Sequence, residues 1–297
     1  MSSARHVPVM VAEVLHWLDP RPGETALDMT CGAGGHAQAI AVRLGADGCL
    51  VLLDRDPSML AIARRRHYPC RVHFVQGNYD RAGEVLSQLG IRTVQRVLAD
   101  LGFASDQMDD PARGFSFQHE GPLDMRYDPS QPLTAADLVN QLPERELADV
   151  FWRYGQERHS RAIARQIVRV RQRSPLCTTT QLAELVRSVV PRRGRIDPAT
   201  RVFQALRIAV NDELGALERM LRDLPALVEP GGRAVVISFH SLEDRLVKRA
   251  FRDRAHWQVL TRKPVTPSDT EKSLNPRSRS ARLRAARRVA ERVQDPT

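Results

Sequence analysis

The sequence predicts an α/β protein with a Rossmann-like, mostly parallel sheet and an inserted helical domain. Three observations predict it. Over the first hundred residues, short runs apolar on both faces alternate with helical patterns, as in parallel sheets covered by helices. A glycine turn, "DMTCGAGGHA" at 28–37, follows the first run, and the second run stops at Asp54. Finally, the gap from Asp100 to the next buried run at Ala234 far exceeds one crossover, since a whole β-α-β unit takes roughly 30 residues.

Taken in order, strands are expected at 25–29, 49–54, 72–75 and 95–100. Helical patterns run from the glycine turn to about Leu44, then over 58–66 and 81–89. In the insertion, 158–172 sets Ile163, Ile167 and Val170 against Arg161, Arg165 and Arg169. A second helix, 180–190, has Gln181 placed to cap against Thr178. A third is expected to start at Asp197 and Pro198 and to run through Phe203, Leu206, Val210 and Leu214. Between the last two lies a basic turn, "PRRGR" at 191–195. The turn "EPGG" at 229–232 announces a strand at 234–239, and Ser241 with Asp244 reads as the capping box of a helix. The final strand, 280–286, puts Ala281, Leu283 and Ala285 on one side and Arg282 and Arg284 on the other. The expected division is 1–105 and 216–297 for the sheet domain, and 106–215 for a helical, substrate-recognising insertion. Within the insertion, "RGFSFQHEGPLDMRYDPS" at 113–130 has neither period and either lines a pocket or packs as a loop.

With 297 residues and 42% apolar content the chain can bury a real core and is not a disordered protein. Its net charge of +10 is carried almost wholly by arginine, the lysines being Lys248, Lys263 and Lys272. Arginine reads phosphate well, so a nucleic-acid partner gains some support. The cysteines, Cys31, Cys49, Cys70 and Cys177, lie far apart without a C-x-x-C pair, so neither a metal site nor a disulfide framework is expected. The opening residues lack a signal-peptide stretch and no apolar run nears twenty residues. A cytoplasmic protein without a membrane partner is therefore expected.

The glycine turn fits the loose dinucleotide pattern as Gly32-x-Gly34-x-x-Ala37. Asp28, just before it, would be a poor neighbour for a pyrophosphate and a good one for an ammonium. S-adenosylmethionine carries such an ammonium and no phosphate, and Asp54 would then accept from its ribose hydroxyls. The competing reading makes Asp28 and Asp54 strand-end acids capping the next turn. At the end of the fourth strand, Asp100 and Phe103 can be cast as acceptor for an exocyclic amine and as the ring that fixes its base. After the next strand, His240 is the histidine expected at the catalytic mouth, as hydrogen-bond partner or proton acceptor. Two basic clusters suit a polyanion: residues 151–173 hold seven arginines against Glu157, and 272–292 hold eight basic residues against Glu291.

Several of these segments, in order over nearly the whole chain, resemble the RsmH (MraW) family of small-subunit ribosomal RNA methyltransferases. They include "HVPVM" at 6–10, "CGAGGHA" at 31–37, "DRDP" at 54–57 and "DLGFASDQMDDPARGFSF" at 100–117. "YGQERHSRAIAR" at 154–165, "DPATRVFQALRIAVNDEL" at 197–214, "PGGRAVVISFHSLEDRLVK" at 230–248 and "NPRSRSARLRAA" at 275–286 continue the series. The resemblance implies a class I S-adenosylmethionine-dependent methyltransferase fold with an inserted helical domain. It implies methyl transfer, without a metal, to N4 of a P-site-region cytidine in 16S rRNA, free or within a 30S subunit or late assembly intermediate, and it leaves a homodimer open. Cofactor contacts carry over to Gly34, Gly35, His36, Asp54, Tyr79, Asp100 and Gln107. Cys31, Tyr79, Ala104, Asp106 and Asp197 depart from the common forms. Loss of a serine hydroxyl at Ala104 removes any chemical role there. A nicotinamide oxidoreductase would share the first two motifs but not Asp28 or the basic tail. Other readings are a DNA or protein methyltransferase of the same fold and a noncatalytic RNA-binding factor.

Overall fold

The computed structural model describes residues 8–102, 105–191 and 197–290. The chain divides into two compact units, one made of Met1–Gly102 with Leu214–Thr297, the other of Phe103–Glu213. The boundaries read from the sequence lay at 106 and 215.

The first unit is built on a seven-stranded sheet. Its strands are β1 (Thr25–Asp28), β2 (Cys49–Asp54), β3 (Arg71–Gln76), β4 (Val94–Asp100), β5 (Val228–Ser238), β6 (Trp257–Val259) and β7 (Arg282–Arg288). They lie in the order β3-β2-β1-β4-β5-β7-β6. The first five run parallel, and β7 is antiparallel to both its neighbours. Alternate residues feed two cores, as expected of a sheet covered on both faces. Leu27, Val51, Leu53, Val97, Ala99 and Val236 pack on one face with Leu86, Leu217, Leu224 and Phe251 of three helices. Ala26, Leu50, Leu52, Leu98, Val235 and Ile237 pack on the other with Val14, Ile40, Leu44 and Leu60. The strand order reverses its direction of progress between β1 and β4, and in such sheets ligands sit outside the carboxyl ends at that crevice.

The second unit is helical, with Ala135–Gln141, Glu144–Gly155, Ser160–Arg171, Thr179–Val189 and Ala199–Asn211 around Phe151, Ile163, Ile167, Leu182, Val186 and Leu206. The capping box of Thr178 and Gln181 forms as read. The irregular stretch at 113–130 is a packed loop: Phe115, Leu123, Met125 and Tyr127 are buried. Asn211 pins it, accepting from the Tyr127 N–H at 2.9 Å and donating to the Met125 carbonyl at 2.7 Å.

Four sequence expectations are corrected. The helix reaching for Leu214 ends at Asn211, because Asp212 takes a left-handed conformation (φ 48°) and a new helix, Glu213–Leu227, begins. "EPGG" is no separate turn; it lies within β5, where the pairing with β4 shifts register between Val94 and Arg96. The capping box after β5 is displaced by one residue, His240 and Glu243 replacing Ser241 and Asp244. β6 has only three residues and escaped the pattern. The arginines of the final strand also divide unexpectedly. Arg282 is exposed, but Arg284 and Arg288 are buried, Arg288 donating to the Pro225 carbonyl at 3.0 Å.

Asp244, released from capping, pairs with Arg284 through both carboxylate oxygens, at 2.6 and 3.1 Å, tying helix Ser241–Phe251 to β7. Burial pushes its carboxyl up, but Arg284 and then Arg282 outweigh it and hold it below the ordinary carboxylate range. Removing one member of such a pair strands the other charge, at a cost of about 3 kcal/mol. Asp244→Ala should therefore lower unfolding stability by about that amount in urea at pH 7. Since the folded pKa is depressed, the contribution is present above the ordinary carboxylate range and lost as pH falls through the folded value. The gap between the two proteins should narrow on acidification below about pH 4.

Candidate active site

At the sheet crevice, local hydrogen bonds lock β1, β4 and the glycine turn together. Thr30 receives the Asp100 N–H on its hydroxyl at 2.6 Å and gives its own N–H to Asp28 Oδ1 at 3.1 Å. Asp54, ending β2, accepts the Gly32 N–H at 2.7 Å and the Asp56 N–H at 2.9 Å. Gly34 sits at φ +80°, where a Cβ would lie 2.5 Å from the Tyr68 hydroxyl; one on Gly35 would lie 2.8 Å from Pro8. Glycine at both positions is thus a steric requirement. Arg66 donates to the Ala33 carbonyl and holds Gln38 at 3.0 Å, closing the turn from outside.

The polar atoms facing this turn are incompletely satisfied. Asp28 Oδ2, Asp100 Oδ1 and both ring nitrogens of His36 are buried without a hydrogen-bond partner among the described residues. His36 Nε2 stands 3.4 Å from Asp100 Oδ2, an ion-pair distance without hydrogen-bond alignment. Burial pushes the Asp28 carboxyl up to about 7, against the opposing pull of His36 and the Thr30 N–H. It likewise lifts Asp54 to about 6, against the N–H groups of Asp56 and Gly32. For His36 burial works downward, but Asp100, then Asp28, more than reverse it, so the imidazole is easier to protonate than usual. Buried titratable groups with displaced pKa values, gathered at a crevice, mark a candidate functional site.

Asp28, Gly32, Gly34, Gly35, His36, Asp54 and Asp100 are therefore brought to one place. Tyr79 opens the short 3-10 turn after β3, half-buried against the core beneath. Gln107 is buried in Ser105–Asp109 of the second unit, and Phe103 lies outside the described residues. His240 caps helix Ser241–Phe251: Nδ1 accepts the Glu243 N–H at 3.4 Å, and Nε2 stands 3.3 Å from Glu243 Oε1. Sequence reasoning missed Thr30, Arg66, Tyr68 and Pro8 as parts of the site. "DMTCG" places Thr30 two residues after Asp28 and two before Gly32, where its N–H can reach one strand end and its hydroxyl the next; the other three carry no local signal.

Unsatisfied carboxylates in a water-poor recess suit a cationic ligand with hydroxyls and reject a pyrophosphate. The donor set fits S-adenosylmethionine: Asp28 would meet its ammonium, and Asp54 would accept from its ribose on lone pairs its backbone partners leave free.

Two consequences of Asp28 are measurable. Because its folded pKa is raised, its stability contribution is full below the unfolded value, near 4, and is lost as pH rises toward about 7. Asp28→Asn should thus lose less stability than the native chain between pH 5 and 8 in urea titrations without cofactor. The same substitution should weaken S-adenosylmethionine binding about 10–100-fold by calorimetry, as removal of a charge-assisted hydrogen bond does.

The chain is similar over nearly its whole length to known proteins. The model of the MraW methylase family matches residues 3–289. A protein of Geotalea uraniireducens named ribosomal RNA small subunit methyltransferase H is 47% identical, with 97% of this chain and 100% of the relative covered. Proteins of the same name from Geobacter sulfurreducens and a Synechococcus strain are 48% and 50% identical, covering 96% and 97% of this chain and 99% and 93% of the relatives. On this match of sequence throughout its length, the chain belongs to the MraW methylase family.

Proposed function

We propose that the protein transfers a methyl group from S-adenosylmethionine to N4 of a P-site-region cytidine in 16S rRNA, acting in the cytoplasm on a 30S subunit or late assembly intermediate. The observation that carries this reading is the buried, unpartnered Oδ1 of Asp100 at the end of β4, beside the cradle of Asp28, His36 and the glycine turn. The names of the relatives and the ordered motifs support the RNA substrate. So does the second unit, whose helix Ser160–Arg171 exposes Arg161, Arg165 and Arg169; its neighbour Glu144–Gly155 exposes Trp152, a ring suited to stacking on a base.

When bound, S-adenosylmethionine supplies an electrophilic methyl on a sulfonium, so the residues need only position and deprotonate. The N4 lone pair of cytosine is shared with its ring, and an acceptor on its N–H bonds returns density to nitrogen. Asp100 Oδ1 takes this role and holds the proton the amine gives up; its backbone N–H, spent on Thr30, cannot also hold the cofactor. His36 stands at ion-pair distance from Oδ2, 3.4 Å away, leaving Oδ1 for the amine. Phe103, cast from the sequence as the ring that fixes the base, lies outside the described residues. His240 serves as a positioning residue that starts helix Ser241–Phe251 through its cap.

The test supplies tritiated S-adenosylmethionine with unmethylated 16S rRNA, 30S subunits and genomic DNA, and identifies the labelled nucleoside by chromatography. N4-methylcytidine from 16S rRNA or 30S is expected, 30S being the better acceptor; label in DNA alone would overturn the substrate. Asp100→Asn should lower turnover at saturating cofactor by about 10²-fold, with cofactor affinity measured separately. His240→Asn, which keeps a capping side chain, should retain turnover within about threefold, whereas His240→Ala should lower stability by about 1 kcal/mol.

A further inference from the structure

Not every arginine of this basic chain is available to a partner. Arg284 is engaged by Asp244, Arg288 by backbone carbonyls, and Arg96 by Glu24 at 2.7 Å and the Asp19 carbonyl at 2.8 Å. Elsewhere in the first unit cations gather without counter-charges. A groove of about 580 Å³ opens at the edge of the sheet, between the end of helix Ser241–Phe251 and β6. Lys248, Arg252, Arg254 and Arg262 line it with the buried Arg284 and Trp257, and no carboxylate lines it among the described residues. The side chains of these first four are exposed, and none makes an ion pair or hydrogen bond among the described residues.

We propose that this groove is a second binding surface for the substrate RNA, holding its phosphodiester backbone, in addition to the methyl-transfer site. The inference rests on the ribosomal RNA reading above and names the surface of the sheet unit that holds its backbone. Four exposed cations around one concave surface match successive phosphates, and each phosphate they neutralise releases condensed counterions. Solvent-exposed cations held together without acids repel one another, a cost a polyanion removes. The same charge disfavours a second copy of the chain on this face, since pairing like faces would set four cations against four. Because these cations would meet phosphates and no base edge, they fix register and orientation and add affinity without sequence preference.

The experiment compares the native chain with a variant carrying Lys248→Ala, Arg252→Ala, Arg254→Ala and Arg262→Ala. Arg284 is left intact because it is part of the fold. Binding to 16S rRNA is measured by filter retention from 50 to 300 mM salt, beside S-adenosylmethionine affinity and label transfer. The variant should bind RNA about 10–100-fold more weakly at low salt. Its slope of log affinity on log salt should become shallower by about 0.7–0.9 for each phosphate that is no longer neutralised. Cofactor affinity should be unchanged, and a variant with lysine in place of the three arginines should restore most of the slope. Native affinity and slope in the alanine variant, with the native chain methylating RNA, would overturn the inference and leave the function intact. A change of oligomeric state with RNA binding unaltered would overturn it in favour of self-association. If the native chain neither binds nor labels RNA, the function itself falls, and the groove with it.

Discussion

Two carboxylates end adjacent parallel strands, and each keeps a buried oxygen without a hydrogen-bond partner among the described residues. Asp28 and Asp100 can sit there because β1 and β4 pair in parallel while the chain leaves them in opposite directions, opening a crevice the backbone does not fill. Thr30 holds the two ends at a fixed separation, and the buried cores on both sheet faces keep the ends from spreading. Such a recess disfavours charge in the absence of a cation, which is why Asp28 holds its proton to about pH 7. The glycine turn, with Tyr68 and Pro8 against it, shapes the wall that a ligand must meet.

The arginines separate by a related rule. Those deep in β4 and β7 are paired or donate to carbonyls, and they hold strands to helices and turns. Arg252, Arg254 and Arg262 around the β6 groove, and Arg161, Arg165 and Arg169 on helix Ser160–Arg171, reach solvent. A count of positive charge along the chain cannot make this distinction, because residues two apart share one face of a strand and only what packs over each decides its burial. Arg282 and Arg284 are two residues apart in one strand, and the burial of Arg284 follows from the place of Asp244 in the neighbouring helix.

Much of the site was legible because its signals are local. The run ending at Asp28, the glycines, the spacing to Asp54 and the acid closing β4 each depend on a few neighbouring residues. The long gap before β5 disclosed the inserted unit. What escaped depends on partners distant in sequence or on single-residue phase. Pro8 and Tyr68 meet the glycine turn from elements that carry no motif of their own. The capping box moved by one residue because Asp244 is bound by β7, leaving Glu243 to satisfy the helix start. The break at Asp212 has no glycine or proline to announce it; Glu213 is held back by Arg207 and Tyr127 through hydrogen bonds of 2.8 and 3.1 Å.

On the proposed reading, Asp28 gives up its proton when S-adenosylmethionine binds beside it. Calorimetry of S-adenosylmethionine binding, repeated near pH 6.5 in buffers of differing ionisation enthalpy, tests this directly. Asp28 is largely protonated there without a ligand, so binding should release up to about one proton and tighten as pH rises through 7. Proton-neutral binding with a flat pH profile would contradict it, because the cofactor would then not ionise the acid that the fold keeps neutral.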